Sequence, residues 1–450
     1  MEAYVTGAVG STFQARDGIS GWAGGRLVKV LIFTPLFVYN STMKRKIIAI
    51  VLLFAATAVF SQNMQSYLDE YTRLEGTFGQ RLDLLESVRA AGMTGIGEFY
   101  HNALKYFFTR ITDIRTRSDQ EIAEKTVILL CQELATEKYT AAAAEVWQVA
   151  DFFDVARGAN DGNAMQTALI ALGDIDAKEF VPHIVQRLNN FNTDPKLNPE
   201  NRRRIQMAAI GCIRALENLH DIRGYRPVFF VSVGTYDPPV RDIASAALPN
   251  IVDDPGEVLI EVIQDTSSTP RIKQTAWNEM LRTRAPESSK AKVAAAAIAA
   301  SWNYSTNNQS YLKNLKDMRK SAIDTIRRYG VPDDSVYPYL ERSYSSNFNN
   351  NAPDYDEIML TLNALTAVKT DEAVGLLQKF LVEINERRRT GPWGNRERQL
   401  LEWVISCIGA TGTQSVEIIV LLNAIERTTS YTPYERSMAT NALRALGARQ

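Results

Sequence analysis

Residues 386–398, ERRRTGPWGNRER, concentrate the side chains that are best suited to recognition chemistry. Five arginines surround Trp393: Arg387, Arg388, Arg389, Arg396 and Arg398. Arginine and tryptophan are enriched at the energetic centres of protein interfaces, and a proline and a glycine beside the indole predict a loop tip. We interpret the segment as a contact for an acidic or aromatic partner surface. The alternative is a solvated turn whose arginines pair with Glu386 and Glu397 and whose tryptophan packs on a helix end.

Three further predicted connections have a similar composition, rich in Asn, Tyr, Ser or Pro: 189–204, 303–314 and 343–357. Tyr304, Tyr311 and Tyr344 are therefore candidates for the same binding surface. A second basic cluster, Arg202 to Arg204, is predicted to lie on the exposed face of a first helical turn. Cations there oppose the helix dipole, so either a partner or the nearby Glu200 must compensate for them.

Motifs for catalysis or metal binding are absent from the sequence. The three histidines, His101, His183 and His220, have neither metal-ligand nor catalytic-triad spacing. The patterns GxxxxGK[ST] and GxSxG do not occur, and GISGWAGG (18–25) has no strand before it, as a dinucleotide site would need. We therefore predict no metal, no cofactor and no enzymatic activity.

Residues 43–61 have the layout of an export signal. Three cations follow Met43, then come fourteen apolar or small residues, and small side chains precede Gln62. Fourteen helical residues span about 21 Å, less than the ~30 Å hydrocarbon core, which disfavours a stable membrane anchor. The pattern predicts a mature chain beginning at Gln62, in the periplasm or outside the cell. Residues 1–42 are interpreted as a non-native upstream extension, or alternatively as a long presequence.

The charge balance argues against a nucleic-acid partner. The whole chain has a net charge of −1, and without residues 1–61, which hold six Lys/Arg and two Asp/Glu, the net charge is −5. Nucleic-acid binders usually carry a strong basic excess. No later stretch reaches 18 apolar residues, so no transmembrane helix is predicted after residue 61.

An internal repeat organises the rest of the chain. Apolar anchors recur at intervals of 40, 41, 41, 38, 29, 46, 42, 40 and 38 residues: Val88, Ile128, Leu169, Ile210, Leu248, Trp277, Ile323, Leu365, Ile405 and Leu443. The residue three positions later is again apolar, which places both on one helical face. Alanine precedes seven of the ten anchors, which allows neighbouring helices to approach closely.

Each anchor helix is followed by a short turn and a second apolar helix. The clearest second helices are 179–188, 257–264, 335–344, 372–384 and 415–425. The sequence thus predicts an all-α fold over 79–450, an α-α superhelix of about nine helical hairpins with a last anchor helix alone, and a lead-in at 62–78. Only 227–234, PVFFVSVG, suggests a strand.

These repeats resemble the HEAT-repeat family, especially its short form with an A-x-x-A-L-G-x-I core. The best matches are MQTALIALGDIDAKEFVPHIVQRL (165–188) and SMATNALRALG (437–447). The resemblance implies a solenoid, since one hairpin cannot bury its apolar stripe alone. Insertions along one edge of a solenoid often mark a binding face. Pro249 inside an anchor helix and Trp277 in place of an aliphatic anchor depart from the pattern.

Three functions fit these observations. The first is an exported scaffold or adaptor that binds protein partners along the inter-repeat loop edge, within a periplasmic envelope assembly. The second is a glycan or cell-wall binder that uses Trp393 and the loop tyrosines. The third is a bilin-lyase-like enzyme, because some short bacterial HEAT relatives look like lyases that attach a chromophore.

The three cysteines test the repeat register. Cys131, Cys212 and Cys407 all fall on anchor helices, two and five repeats apart. At ~8–10 Å for each packed helix, those separations are roughly 20 and 50 Å, whereas a disulfide needs Cα atoms within about 7 Å. The register therefore predicts three free, buried thiols.

Overall fold

The computed structural model describes residues 64–74, 78–154, 162–193, 199–330, 333–350, 353–391 and 393–449. The predicted export signal (43–61) and the upstream extension (1–42) lie outside these residues. All regular structure in the described residues is helical. Residues 227–233 of the segment whose composition suggests a strand lie in a helix, and Gly234 follows the end of that helix.

Helix α1 (64–73) lies in the predicted lead-in. The anchor helices follow: α2 (Phe78–Ala90), α4 (Arg117–Thr136), α6 (Asn163–Asp174), α8 (Pro199–Leu219), α10 (Pro238–Ile251), α12 (Pro270–Arg282), α14 (Gln309–Tyr329), α16 (Tyr355–Val368), α18 (Asn395–Thr411) and α20 (Pro433–Ala445). The partner helices alternate with them: α3 (Gly97–Thr109), α5 (Ala143–Phe152), α7 (Val181–Thr193), α9 (Tyr225–Val233), α11 (Gly256–Gln264), α13 (Glu287–Asn303), α15 (Tyr337–Phe348), α17 (Asp371–Thr390) and α19 (Val416–Arg427).

The two sets of helices form two layers. In the anchor layer α2 packs on α4, α4 on α6, and so on to α20, with α10 and α12 less closely packed than the other neighbours. The partner layer is built in the same way from α3 to α19, with a looser contact between α5 and α7. The described residues therefore form a HEAT-like α-α solenoid of nine helical pairs and a last anchor helix, as the repeat predicts.

Burial of the anchors explains why the helices stack. Eight of the ten anchors are buried and two, Ile128 and Ile210, are half-buried; the alanines before the anchors are all buried. The close approach is clearest between α6 and α8, where a Cβ on Gly173 would lie 2.8 Å from the Ala215 Cα. Small residues thus bring these two helices together at a distance that larger side chains would prevent.

The prediction for the cysteines is confirmed. Cys131 lies in α4, Cys212 in α8 and Cys407 in α18, and all three are buried and free. Their separation by whole helical layers leaves no pair within bonding distance, which supports the repeat register.

The closest helix pairs are not those joined by the short turns. Each partner helix packs more closely on the anchor helix that follows it, as α13 does on α14, than on the anchor helix before it. The packing unit is therefore a partner helix with its following anchor helix. The joints within this unit, from a partner helix to the anchor helix that follows it, lie at one edge, which we call the connection edge. The joints from an anchor helix to the partner helix after it lie at the opposite edge, which we call the turn edge.

Candidate interaction edge

The connection edge is built mostly from helix ends rather than from long loops. Helix α17 continues to Thr390 and α18 begins at Asn395, so Arg387 to Arg389 occupy a last helical turn. The helices that flank the other predicted connections end at Thr193, Asn303 and Phe348, and the next helices begin at Pro199, Gln309 and Tyr355. A basic last turn is electrostatically favourable because the helix C-terminus carries partial negative charge. The predicted long insertions are thus corrected to short joints.

Tyr344 does not belong to a binding surface. It lies in α15, is fully buried, and stacks on Phe380 with ring centroids 3.6 Å apart. Burial raises the pKa of its hydroxyl well above the usual value, with a smaller contribution from Glu383. The prediction of Tyr344 as a contact residue is wrong. Residue 344 lies in helix α15 rather than in a loop, and its ring packs in the core.

Arg388 is committed to internal contacts. Its Nη1 donates to the Glu435 Oε2 at 3.0 Å and its Nη2 donates to the Ser430 carbonyl. Its Cζ also lies 4.0 Å from the centre of the Tyr431 ring. Because Glu435 is fully buried, this arginine holds the end of α17 to the start of α20 and is largely withdrawn from solvent.

The two neighbouring arginines differ in their roles. Arg387 donates to the Phe348 carbonyl at the end of α15 and its Cζ lies 4.6 Å from the Phe348 ring centre. Arg389 is exposed and pairs with Glu386 at 2.7 Å. The pairing with Glu386 agrees with the solvated-turn interpretation, whereas Arg387 and Arg388 support helix ends in ways that no local sequence pattern revealed.

Trp393 is half-buried between these helices. The Cζ of Arg388 lies 5.2 Å from its ring centre, and its Nε1 is buried without a hydrogen-bond partner in the described part of the chain. The indole packs against the hydrophobic core. It is therefore not presented at a loop tip as an exposed stacking platform.

Arg396 and Arg398 remain exposed on the first turns of α18. The Cζ of Arg396 lies 5.2 Å from the Tyr355 ring centre, a cation–π contact that leaves its guanidinium hydrogen atoms available. Of the five arginines in the basic segment, three are thus exposed, and two of these, Arg396 and Arg398, make no ion pair with any described residue.

A cleft of about 880 Å³ opens on this edge between the N-terminal turns of α14, α16 and α18. Its charged and polar lining comprises Lys313, Lys316, Asp317, Lys320, Asp354, Tyr355, Asp356, Arg396 and Gln399. These residues come from, or directly follow, three of the connections that the sequence singled out: 303–314, 343–357 and 387–398. The fold therefore brings three successive repeats to one concave site.

Asp354 organises the cleft. It caps α16 by accepting from the Glu357 N–H at 3.1 Å, and it pairs with Lys316 at 2.6 Å and Lys320 at 3.4 Å. Burial acts to raise its pKa, but the hydrogen bonds from Lys316 and Glu357 and the charge of Lys320 outweigh it and hold the pKa below the usual value. The carboxylate is therefore ionised and neutralises much of the charge of these two lysines.

Two cations in the cleft lack this neutralisation. Lys313 on α14 and Arg396 on α18 are exposed and make no ion pair with any described residue. They lie on opposite sides of α16 in the cleft. Asp356, with 90% of its side chain exposed, lies between them and 3.8 Å from Lys320, so the site offers charges of both signs.

The remaining predicted contact residues lie near the cleft or farther along the edge. Tyr304 is half-buried with the Lys273 Nζ 6.0 Å from its ring centre, and Tyr311 is half-buried on the first turn of α14. Neither lines the cleft. On α8, Arg202 is exposed and pairs with Asp237 at 2.5 Å, so a protein carboxylate compensates for one cation of that cluster.

Sequence reasoning missed the lysines of α14. Lys313, Lys316 and Lys320 are spaced by three and four residues and therefore lie on one helical face. That spacing is visible in the sequence, but the composition of 303–314 predicts a loop, whereas α14 begins at Gln309 within this segment. Asn308 caps α14 by accepting from the Ser310 and Tyr311 N–H groups, which is the start signal that identifies the helix.

The described residues offer no cluster of His, Cys, Asp or Glu suited to holding a metal ion. Among the same residues, no helix has the length and apolar character that a membrane span requires. His101 is buried, with its Nε2 2.9 Å from the Glu145 Oε2. Its surroundings are those of a packed side chain between α3 and α5.

No family model and no curated protein matches this chain. Among solved structures, the chain is similar to human deoxyhypusine hydroxylase in complex with glycerol, at 14% identity over 78% of this chain and 98% of that chain, with a TM-score of 0.24. It is also similar to SYS-1, at 9% identity over 85% of this chain and 99% of that chain, with a TM-score of 0.28. TM-scores this low carry no argument, and the solenoid fold rests on the helix packing itself.

Proposed function

We propose that this chain is a non-enzymatic, exported scaffold that binds a protein partner along the connection edge, within a periplasmic envelope assembly. The cleft between α14, α16 and α18 is its contact site. A solenoid suits this role because its repeats present side chains from successive helices along one continuous surface.

The observation that carries the proposal is the convergence of three repeats on one open cleft with unneutralised cations. Lys313 and Arg396 stand on either side of α16. Charged groups at an accessible rim steer association and fix the register of a partner. Asp356 and Asp317 add acceptors for basic groups, so the site suits a polar protein surface more than a small apolar ligand.

The export part of the proposal rests on the sequence of residues 43–61. The cationic start, the short apolar run and the small residues before Gln62 form a cleavable signal. Three buried free thiols are compatible with an oxidising compartment because no two of them can meet.

The glycan alternative depends on an exposed aromatic platform. Trp393 is half-buried with Arg388 over its ring, and Tyr344 is fully buried. The aromatic side chains that suggested sugar stacking are therefore less accessible than the charged side chains of the cleft, which favours the protein-binding proposal.

Site-specific crosslinking in intact cells tests this function. A photo-reactive phenylalanine analogue replaces Lys313 or Arg396, and the crosslinked products are identified by mass spectrometry. We expect both positions to capture the same protein. A matched control places the analogue at Lys178, an exposed lysine on the turn edge, where we expect no such product.

Fractionation and N-terminal sequencing in the same cells test the location. We expect a chain that begins at Gln62 in the extracytoplasmic fraction. Crosslinks confined to position 178 would reject the connection edge as the contact site, and a cytosolic chain that retains residues 43–61 would reject export.

A further inference from the structure

Three valines form an exposed apolar face on the outer side of the last two partner helices. Val416 and Val420 of α19 are 74% and 62% exposed, and Val382 of α17 is 41% exposed. The hydrogen bond between Ser415 and Gln378 aligns the two helices, which places Val382 level with Ile419 and Val420. Contiguous exposed apolar side chains are uncommon on soluble surfaces and often mark interfaces.

Helix α19 is apolar on more than its core-facing side. Ile418, Leu422 and Ile425 are buried, whereas Val416 and Val420 lie on the opposite side of the same helix. Apolar side chains on two opposite sides of one helix favour a covering surface on each of those sides. The packing described for α19, against α17 and α20, leaves its outer face uncovered.

The charges around this face are self-complementary. Glu417 in the first turn and Arg427 in the last turn of α19 are both exposed. About 15 Å of helix separates them, so they cannot pair with each other within one copy. When a second α19 lies antiparallel across the first, each Glu417 meets the Arg427 of the other copy and Val420 meets Ala424.

The available area suits a weak dimer. Helices α17 and α19 are 20 and 12 residues long, about 30 and 18 Å at 1.5 Å per residue. With ~10 Å per helix, the face covers about 500 Å² on each copy. A two-fold contact then removes on the order of 1,000–1,400 Å² of accessible surface, near the lower limit for stable interfaces.

We propose that two copies of this chain associate through the outer faces of α17 and α19, related by a two-fold axis that crosses the outer face of α19 at the level of residue 422. A two-fold contact uses the same patch on both copies, and the acid–apolar–base order along α19 is what such a contact requires. A head-to-tail contact with α1 lacks this match, since α1 exposes Gln65, Ser66, Glu70 and Arg73.

Sedimentation velocity of the purified chain over a concentration series tests the dimer. We expect a monomer–dimer equilibrium in the micromolar range, as an interface of this area predicts. Val420→Lys weakens it at least about tenfold because the substitution buries a charge at the centre of the face. Ile222→Lys, at an apolar residue on the turn edge that is 42% exposed, is the control and leaves the equilibrium unchanged.

Charge reversal separates self-association from binding of another protein. Glu417→Arg and Arg427→Glu each place like charges opposite each other, so each variant alone is expected to weaken dimers about tenfold. An equimolar mixture of the two restores opposite charges at both positions and returns dimers to within about threefold of the unchanged chain. A chain that stays monomeric at ~100 µM, or variants whose mixture does not restore dimers, would overturn the proposal.

Discussion

Arg319 and Glu357 join two anchor helices through a buried ion pair. The Arg319 Nε and Nη2 donate to the two Glu357 carboxylate oxygens at 2.6 and 3.0 Å, and no part of the Glu357 side chain is exposed. The Arg319 Cζ lies 4.0 Å from the centre of the Trp302 ring, and the Trp302 Nε1 donates to the Ser343 Oγ. Each polar group of this cluster therefore has a partner in a different helix.

Replacement of one member of the pair tests its energetic role. We expect Glu357→Gln to lower the free energy of unfolding by about 3 kcal/mol, because it leaves the Arg319 guanidinium buried beside a neutral group. Asp356→Asn, one residue earlier, changes an exposed carboxylate and costs less than about 0.5 kcal/mol. Urea unfolding measures both, and equal losses would contradict the account.

The buried thiols predict a pH dependence at the same scale. Burial raises the pKa of Cys131 and Cys212 to about 12 from the usual 9.0, and it also raises that of Cys407. Well below pH 9 these thiols are protonated in both the folded and the unfolded chain. As the pH rises from 9 towards 12 the unfolded chain loses these protons first, so the free energy of unfolding falls.

Urea unfolding at pH 8 and pH 10 measures this effect. We expect a loss of about 1.4 kcal/mol for each of Cys131 and Cys212 over that interval. A variant with both Cys131→Ala and Cys212→Ala should lack the part of this pH dependence that these two thiols cause, and it serves as the control.

Because the thiolate is the reactive form, a thiol reagent at pH 8 should label three cysteines in urea and react slowly with the native chain. Rapid labelling of the native chain would show that these helices do not bury their thiols.

At the scale of the helical element, most anchor helices end in the same way. Within the described residues, a left-handed residue closes all of them except α10 and α12: Gly92, Lys138, Asp176, His220, Gly330, Lys369, Gly412 and Gly447. Glycine adopts this left-handed conformation without strain, whereas for other residues the conformation costs free energy. The anchor helices at the turn edge thus share one type of stop, a left-handed residue, and this residue is glycine at only half of the positions.

A matched pair of substitutions tests this stop signal. Lys369 closes α16 with φ of 58° and is exposed, so Lys369→Gly is expected to raise the free energy of unfolding by about 0.5–1 kcal/mol. Gly412 closes α18 with φ of 71°, and a Cβ there would contact nothing within 4 Å. Gly412→Ala should therefore cost about 1 kcal/mol through the backbone alone. Thermal unfolding that shifts in the same direction for both variants would contradict this explanation.

The sequence predicted the elements that have periodic cores and missed those defined by long-range contacts. The anchors and their alanines were readable because burial imposes the period. Helix α1 has no anchor and was interpreted as a lead-in. The composition of 386–398 predicts a loop for Arg387 to Arg389, whereas these residues lie in the last turn of α17. Arginine favours helix and suits a helix C-terminus. The contact of Arg388 with Glu435 spans 47 residues, and no local pattern encodes such a pair.

Adjacent arginines of α17 provide a prediction about this contact. Arg388→Gln leaves the buried Glu435 without its cation, so we expect a loss of about 3 kcal/mol in the free energy of unfolding. Arg389→Gln removes an exposed pair with Glu386 and should cost less than about 0.5 kcal/mol. Neither variant should alter partner capture at position 313. Loss of partner capture in a stable Arg388→Gln chain would show that Arg388 does contribute to the binding surface.

At the scale of the whole molecule, the anchor layer of the described residues has an irregular junction between α10 and α12. The anchors Leu248 and Trp277 are only 29 residues apart, α10 contains Pro249, and α10 ends in an extended residue, Val252. Helices α10 and α12 pack less closely than other neighbours in the anchor layer, so contact between α9 and α11 is important for continuity. Arg226 of α9 bridges this contact to Glu261 and Asp265.

Solenoid stability is approximately a sum of repeat and nearest-neighbour terms, so a weak interface divides the stack into separately unfolding segments. We expect urea unfolding followed by hydrogen exchange to show residues 64–251 and 256–449 losing protection in distinct transitions. Arg226→Ala removes about 0.5–1 kcal/mol of coupling and should separate the transitions further. Arg223→Ala, whose arginine pairs locally with Asp221, should leave their separation unchanged. One cooperative transition that spans both segments in the unchanged chain and in Arg226→Ala would show instead that the partner layer couples the stack across the junction.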